Sequence, residues 1–292
     1  MNILSFDVEE WYLEKVYFGA KESKYAGYDR LLDELLEKLD LRKLKGTFFC
    51  VGKLATDFPQ VVRKIADAGH DVGCHSNTHQ WLNKMTFKEA MEDTHAAVDS
   101  LQQCIGKEVT SYRAPAFSIG SENKWAFEVL AANGITCDAS VFPASRDFGG
   151  FPEFKSIEPT TIRYNGIEIH EFPITTTKLA GKEIAYSGGG YFRFFPYWFV
   201  EKEMKKSNYS MTYFHLGDLL PVIDGVMSKE DYEGYFDEPG TIKARYLRYV
   251  KTNLGVDGNK KKLYKLLNRM SFSSISEANT QIDWAKIPIV TL

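Results

Sequence analysis

Short apolar runs alternate with stretches whose leucines, valines and isoleucines recur at helical spacing, and this alternation organises the first half of the chain. Asn2 to Val8 reads as a buried strand, and Tyr28 to Leu44 as a helix with leucines on one face. Residues Gly46 to Val51 predict a second strand, Phe58 to Ala68 a helix, and Gly69 to Cys74 a third strand leading to His75. Thr86 with Glu89 has the form of a capping box, opening a helix that runs to about Cys104. Thr110 to Ala114, Asn123 to Ala132 and Ile135 to Asp138 continue as strand, helix and strand. Repeated β–α units with short connections predict an α/β protein with a parallel sheet.

The pattern changes between about Val141 and Ser187. Thr161 to His170 reads as a β-hairpin around Asn165-Gly166, with Glu171 to Ile174 ending its second arm. A helix over Tyr197–Lys206 and a strand over Tyr209–His215 follow. Beyond Leu220 the chain is polar and largely helical, including Thr241 to Leu254 and the basic run Lys260 to Lys265, which reads as a solvated helix face.

Composition narrows the setting. The 292 residues are 44% hydrophobic and 26% charged, as in a globular protein with a sizeable core. A formal net charge of −3 gives no overall basic footprint, which argues against nucleic acid as the partner. The first residues lack the basic start and apolar run of a signal peptide, and no stretch approaches the roughly 18 apolar residues of a membrane span. Four widely spaced cysteines without a CxxC predict reduced thiols and a cytoplasmic protein. The aromatic residues are read mainly as core.

The candidate chemistry sits at predicted strand ends: Asp7-Val-Glu-Glu-Trp11, His75-Ser-Asn-Thr-His79, Arg113-Ala-Pro-Ala-Phe117, Asp138 and Phe214-His215. Two histidines four apart present their imidazoles to one point where the backbone turns helically, as half of a metal site. Three carboxylates closing an apolar strand repel one another unless exposed or neutralised by a cation. Strand alternation puts Asp7 and Glu9 on one face, making Glu9 the third ligand and Asp7 a free general base. Glu10 takes the place of Glu9 if the strand has already turned. Cys74, as the residue before His75 on the strand, points the other way. Arg113 is expected to orient Asp7 through two hydrogen bonds, and His215 to act as the general acid for a departing amine. Strand-end convergence favours a barrel over an open sheet.

In their order, these segments resemble the polysaccharide deacetylases of the NodB-homology group (carbohydrate esterase family 4), over about residues 1–220. Gly46-Thr-Phe-Phe-Cys-Val-Gly52 also looks like that family's second strand. The Asp-Val-Glu-Glu-Trp start, Ser187-Gly-Gly-Gly-Tyr-Phe-Arg193 and Phe195-Pro-Tyr197 look like a subgroup linked to exopolysaccharide and surface-glycan synthesis. After the late histidine that subgroup has Pro-Trp and an acid, whereas here Leu216-Gly217-Asp218 follows. The resemblance implies a distorted seven-stranded (β/α) barrel over 1–220 with a β-hairpin insertion, and a helical extension over 221–292 packed on it. It also implies a divalent metal, expected to be zinc, on Glu9, His75 and His79, with Asp7, Arg113 and His215 catalytic. Substrate contacts are then expected at Ala116, through its amide, and at Phe117, Tyr191 and Asp138, the last with capping or turn formation as its alternative. The implied activity is removal of N-acetyl groups from an amino-sugar glycan or precursor. A cyclic-amide hydrolase of the allantoin type and a catalytically silent glycan-binding protein are the alternatives.

Overall fold

The computed structural model describes residues 1–146, 148–220, 225–236 and 238–292. Residues 221–224, at the expected boundary between barrel and extension, lie outside the described residues. The chain opens with β1 (Asn2–Ile3) and β2 (Ser5–Val8), followed by β3 (Thr47–Cys50), β4 (Asp71–Cys74), β5 (Ser111–Tyr112) and β6 (Cys137–Asp138). Two hairpins come next, β7 (Thr160–Tyr164) with β8 (Ile167–Glu171) and β9 (Thr176–Leu179) with β10 (Lys182–Ala185). Strands β11 (Ser210–Met211), β12 (Phe214–His215) and β13 (Ile289–Thr291) complete the set.

The main sheet has the order β12-β2-β3-β4-β5-β6-β8-β7-β13. The first seven of these strands pair in parallel, β7 is antiparallel to β8, and β13 is parallel to β7. The expected α/β class is therefore present, and the hairpin forms as read, with Asn165 and Gly166 both at positive φ. One of its arms, β8, is a member of the parallel series rather than an insertion beside it. Among the described residues the hydrogen-bonded ladder does not close into a ring. Across the seam, Tyr209 Oη donates to the Pro173 carbonyl at 2.9 Å and the Met211 amide donates to Thr175 Oγ1 at 2.9 Å. Side chains bridge where a closed barrel would have a ladder.

Strand alternation sorts the core into two shells. Phe6, Val8, Phe48, Cys50, Cys74 and Tyr112 face outward into the larger apolar cluster, beneath helices such as Glu22–Leu41, Pro59–Asp67 and Phe87–Ile105. Ile3, Phe49, Cys137, Ala139, Phe172 and Met211 face the interior cluster. Cys74 thus points away from the site, as alternation requires. Gly73 lies between Phe49 and Ser111, where an added Cβ would come within 2.6 Å of the Phe49 ring, so a side chain there would displace the interior packing.

The C-terminal residues join the same core. Leu263, Leu266 and Leu267 of the helix Val256–Arg269 pack into the outer cluster, and Ile275 and Ala278 of the helix Ile275–Gln281 into the inner one. Ser273 exchanges backbone hydrogen bonds with Asn2 and Leu4.

Candidate metal centre and its cavity

Parallel register sets Asp7 of β2 beside His215 of β12, and β4 delivers His75 directly after Cys74. The His75–His79 segment is not a helix. Ser76 and His79 both take positive φ, 62° and 59°, so an irregular turn rather than a helical one brings the two imidazoles together. That turn is fastened from outside: Ser76 and Asn77 carbonyls accept from the Gly52 and Lys53 amides, and the Asn77 amide donates to Asp93.

Glu9 closes the cluster. Its Oε2 lies 2.6 Å from His79 Nε2 and 3.6 Å from His75 Nε2, and the three ligand atoms lie within 4.8 Å of one another. Glu10, the alternative, begins the helix Glu10–Tyr17 and turns elsewhere, its carboxylate accepting from the Gly217 amide at 2.7 Å and the Glu9 amide at 3.3 Å. Burial pushes the Glu9 carboxyl upward, but His79, His215 and His75 outweigh it and hold it well below the usual range. Burial and then the Glu9 charge raise Glu10 to about 7.

These atoms fit a cation. His75 Nδ1 lies 2.7 Å from the Arg113 carbonyl, which can only accept, so Nδ1 donates and the neutral ring keeps its lone pair on Nε2. That lone pair faces the buried Glu9 Oε2 at 3.6 Å. Two acceptors converging out of water, with His79 Nε2 beside them, are costly unless a positive charge lies between.

Asp7 is held from behind. Arg113, fully buried, donates from Nη1 to Asp7 Oδ1 at 2.7 Å and to Ser5 Oγ at 2.8 Å, and from Nε to the Ala139 carbonyl at 3.2 Å. The expected pair of hydrogen bonds to Asp7 is a single one: Nη1 also serves Ser5, Nε serves Ala139, and Nη2 has no hydrogen-bond partner among the described residues. Its guanidinium lies 4.3 Å from the Phe49 ring centroid.

His215 Nε2 lies 3.6 Å from Asp7 and 3.9 Å from Glu9. Asp218 receives the His215 amide at 2.9 Å and lies 3.3 Å from Nδ1, while Arg193 lies 3.4 Å from its other oxygen. Burial lowers the His215 imidazole, yet Glu9, Asp218 and Asp7 together raise it to about 10.

Asp138 is not brought to the cavity. It is fully buried, accepts from Ser140 Oγ at 2.6 Å and shares a hydrogen bond with Glu171. Ser140 Oγ in turn accepts from the Ala114 amide at 2.8 Å. Asp138 therefore supports the loop after Arg113, in line with the turn-forming alternative, and offers no group to a substrate.

Ala116, Phe117 and Tyr191 do line the cavity, whose volume is about 460 Å³, within the range of small-molecule sites. Ala116 and Phe117 both have φ of 54°. The glycine run passes close to the neighbouring strand, and a Cβ on Gly188 would overlap the Tyr213 carbonyl. Sequence reading missed the rest of the wall. Trp81 and Phe148 pack at 4.9 Å, Phe148 and Phe236 stack at 6.3 Å, and the Tyr235 ring lies parallel to His79 at 6.1 Å. Arg248 covers Phe236 at 4.2 Å. Only Asp218 had a signal available, the capping spacing of three from His215.

The polysaccharide deacetylase family matches residues 26–137, and a domain of unknown function (DUF3473) matches residues 139–280. The chain is 28% identical over 89 residues to a peptidoglycan-N-acetylmuramic acid deacetylase of Bacillus subtilis, covering 30% of this chain and 34% of that protein. It is 32% identical over 96 residues to a peptidoglycan-N-acetylglucosamine deacetylase of Bacillus cereus, covering 32% and 35%. These matches thus span about a third of each relative's length. A Mycobacterium smegmatis crystal structure, described as a candidate polysaccharide deacetylase, covers 100% of this chain and 92% of its own with a TM-score of 0.65 and 17% identity, which shows a shared fold. His75, His79 and Arg113 fall inside the matched residues 26–137, Asp7 and Glu9 precede them, and His215 lies in the second region. Over residues 26–137 the chain is thus similar to the polysaccharide deacetylase family, and the fold it shares with the Mycobacterium smegmatis protein extends over its whole length.

Proposed function

We propose that this protein is a metal-dependent hydrolase that removes N-acetyl groups from an amino-sugar-containing glycan or glycan precursor. The observation that carries the reading is the Glu9, His75 and His79 cluster beside an Asp7 carboxylate held by Arg113, with His215 on the adjoining strand. One carboxylate and two imidazoles suit zinc among the common divalent ions. A bound divalent ion would supply Lewis-acid polarisation and a more acidic water. Asp7, fixed by Arg113, would take the proton from the attacking water. The Ala116 amide would donate to the oxyanion at the carbonyl oxygen. His215, kept protonated by the surrounding carboxylates, would give its proton to the amine as the C–N bond breaks, leaving acetate and the free amino sugar.

Asp7→Asn and His79→Ala separate the parts of this reading. Purified native protein is expected to hold about one divalent ion per chain by elemental analysis and to release acetate from N-acetylhexosamine glycans. Asp7→Asn should keep the ion and lose activity by roughly 10²- to 10⁴-fold, whereas His79→Ala should lose both. A folded, metal-loaded native protein inert on a broad glycan panel would overturn the assignment. Hydrolysis of ureides by metal-free protein would instead favour the cyclic-amide alternative.

A further inference from the structure

The helix Ile242–Asn253 is turned inside out. A surface helix normally buries its apolar stripe and exposes its charges. None of this helix's residues is buried, and its large apolar side chains face outward: Ile242 (76% exposed), Tyr246 (58%), Leu247, Val250 and, at its end, Leu254. At about 100° per residue they span roughly 140° of one face. The opposite face meets the protein with polar groups. Arg245 donates to the Met227 carbonyl, and Arg248 and Thr252 line the cavity.

Two further observations point the same way. The segment Gly189–Phe194 adjoins the end of this helix, where Arg193 donates to the Thr252 and Lys251 carbonyls. It and the helix after it add Phe194 and Trp198, the latter 64% exposed, to the surface. Charge is also concentrated here. The helix itself has four basic residues, Lys243, Arg245, Arg248 and Lys251, and no acid, although the overall net charge of the chain is −3. Lys243 sits within the apolar arc and Lys251 at its edge, and neither pairs with a carboxylate among the described residues.

We infer that this face docks on an anionic lipid surface. Aromatic and branched aliphatic side chains entering the headgroup boundary, with lysines reaching back to the phosphates, is the chemistry of an interfacial helix. A protein partner or a second copy would also cover apolar surface, but the excess of basic charge selects an anionic occupant. The surface reaches the cavity wall through Phe194, Arg248 and Thr252, so docking would hold the candidate site close to the bilayer. The inference stands on this face alone and does not need the deacetylase reading.

Flotation of the full chain with phosphatidylcholine vesicles, with and without phosphatidylglycerol, tests it. Binding should require the anionic lipid and weaken as salt is raised. The triple variant Ile242→Ser, Tyr246→Ser, Val250→Ser should lose binding by at least about tenfold, and Lys243→Glu with Lys251→Glu should do the same. All of these positions are exposed, so circular dichroism should match the native protein, and any acetate release from soluble substrate should persist. Failure to bind anionic vesicles at low salt, binding that survives both variants, or a solution dimer that the triple variant dissolves would each overturn the inference.

Discussion

At the scale of single residues, Arg113 explains most about the site. It is a fully buried cation whose main counter-charge is Asp7, with Ser5 and the Ala139 carbonyl as its further acceptors. Removing it strands a buried carboxylate, which usually costs about 3–5 kcal/mol. Arg113→Ala is therefore expected to lose stability on that scale in denaturant unfolding, together with activity. Arg113→Lys should recover only part, because one ammonium cannot reach Asp7 and the Ala139 carbonyl from a planar fork. A loss below about 1 kcal/mol for the alanine variant would mean that the Asp7 carboxylate does not depend on Arg113 in the fold. The residue types here were legible in the sequence, since carboxylates, histidines and an arginine at strand ends require each other's charge. Their hydrogen-bond geometry was not: Ser5 and the Ala139 carbonyl claim directions of the guanidinium that no local pattern announces. Asp138 was misplaced for a similar reason, since its partner Glu171 lies on the strand β8.

At the scale of elements, regular segments were legible and irregular ones were not. The Thr86–Glu89 capping box and the Asn165-Gly166 hairpin formed where local chemistry placed them. The His75–His79 turn has left-handed residues at Ser76 and His79 with no glycine to mark them, so only its tertiary fastenings explain it. The strands' starts have their own fastening in His70, whose Nδ1 accepts from the Gly46 amide at 3.3 Å and thereby ties the approach to β3 to that of β4. Burial, and then the Lys45 charge, lower this imidazole to about 4. An unfolded chain would titrate it near 6.5, so between those values the unfolded state binds more protons and stability falls as pH falls. The contribution is whole above pH 6.5 and lost progressively toward pH 4. Unfolding free energies at pH 7 and pH 4.5 should differ by roughly 2–3 kcal/mol less in His70→Asn than in the native protein, since an amide oxygen can accept from Gly46 without titrating. An unchanged difference would show that the imidazole is already charged in the fold.

At the scale of the whole molecule, the two regions recognised by comparison are halves of one structure. The polysaccharide deacetylase match stops at residue 137, in the strand β6, yet the sheet needs β8, β7 and β12 from the second half, and β12 supplies His215. The sequence resemblance reached about residue 220 because motifs mark chemistry, and the later residues carry packing instead. Their apolar positions at 263, 266, 267, 275 and 278 fill both shells of the core. The final residues also fasten strands from both halves of the sheet. Ser273 bonds Asn2 and Leu4 on the first strands, the Ile275 amide donates to Thr47 of β3 at 2.8 Å, and β13 covers the outer edge of β7. Deleting residues 271–292 would expose Ile3 and Phe49 in the inner cluster, and would leave unpaired the β7 backbone that β13 now satisfies. Each buried apolar side chain lost contributes about 1.5–3 kcal/mol, so several together approach the roughly 5–15 kcal/mol that holds a whole domain folded. The truncated chain is expected to be unfolded or aggregated at room temperature, with flat near-ultraviolet circular dichroism and no cooperative melt. A soluble 1–270 chain with a cooperative transition close to the native one would show that the strands close their interior without this segment.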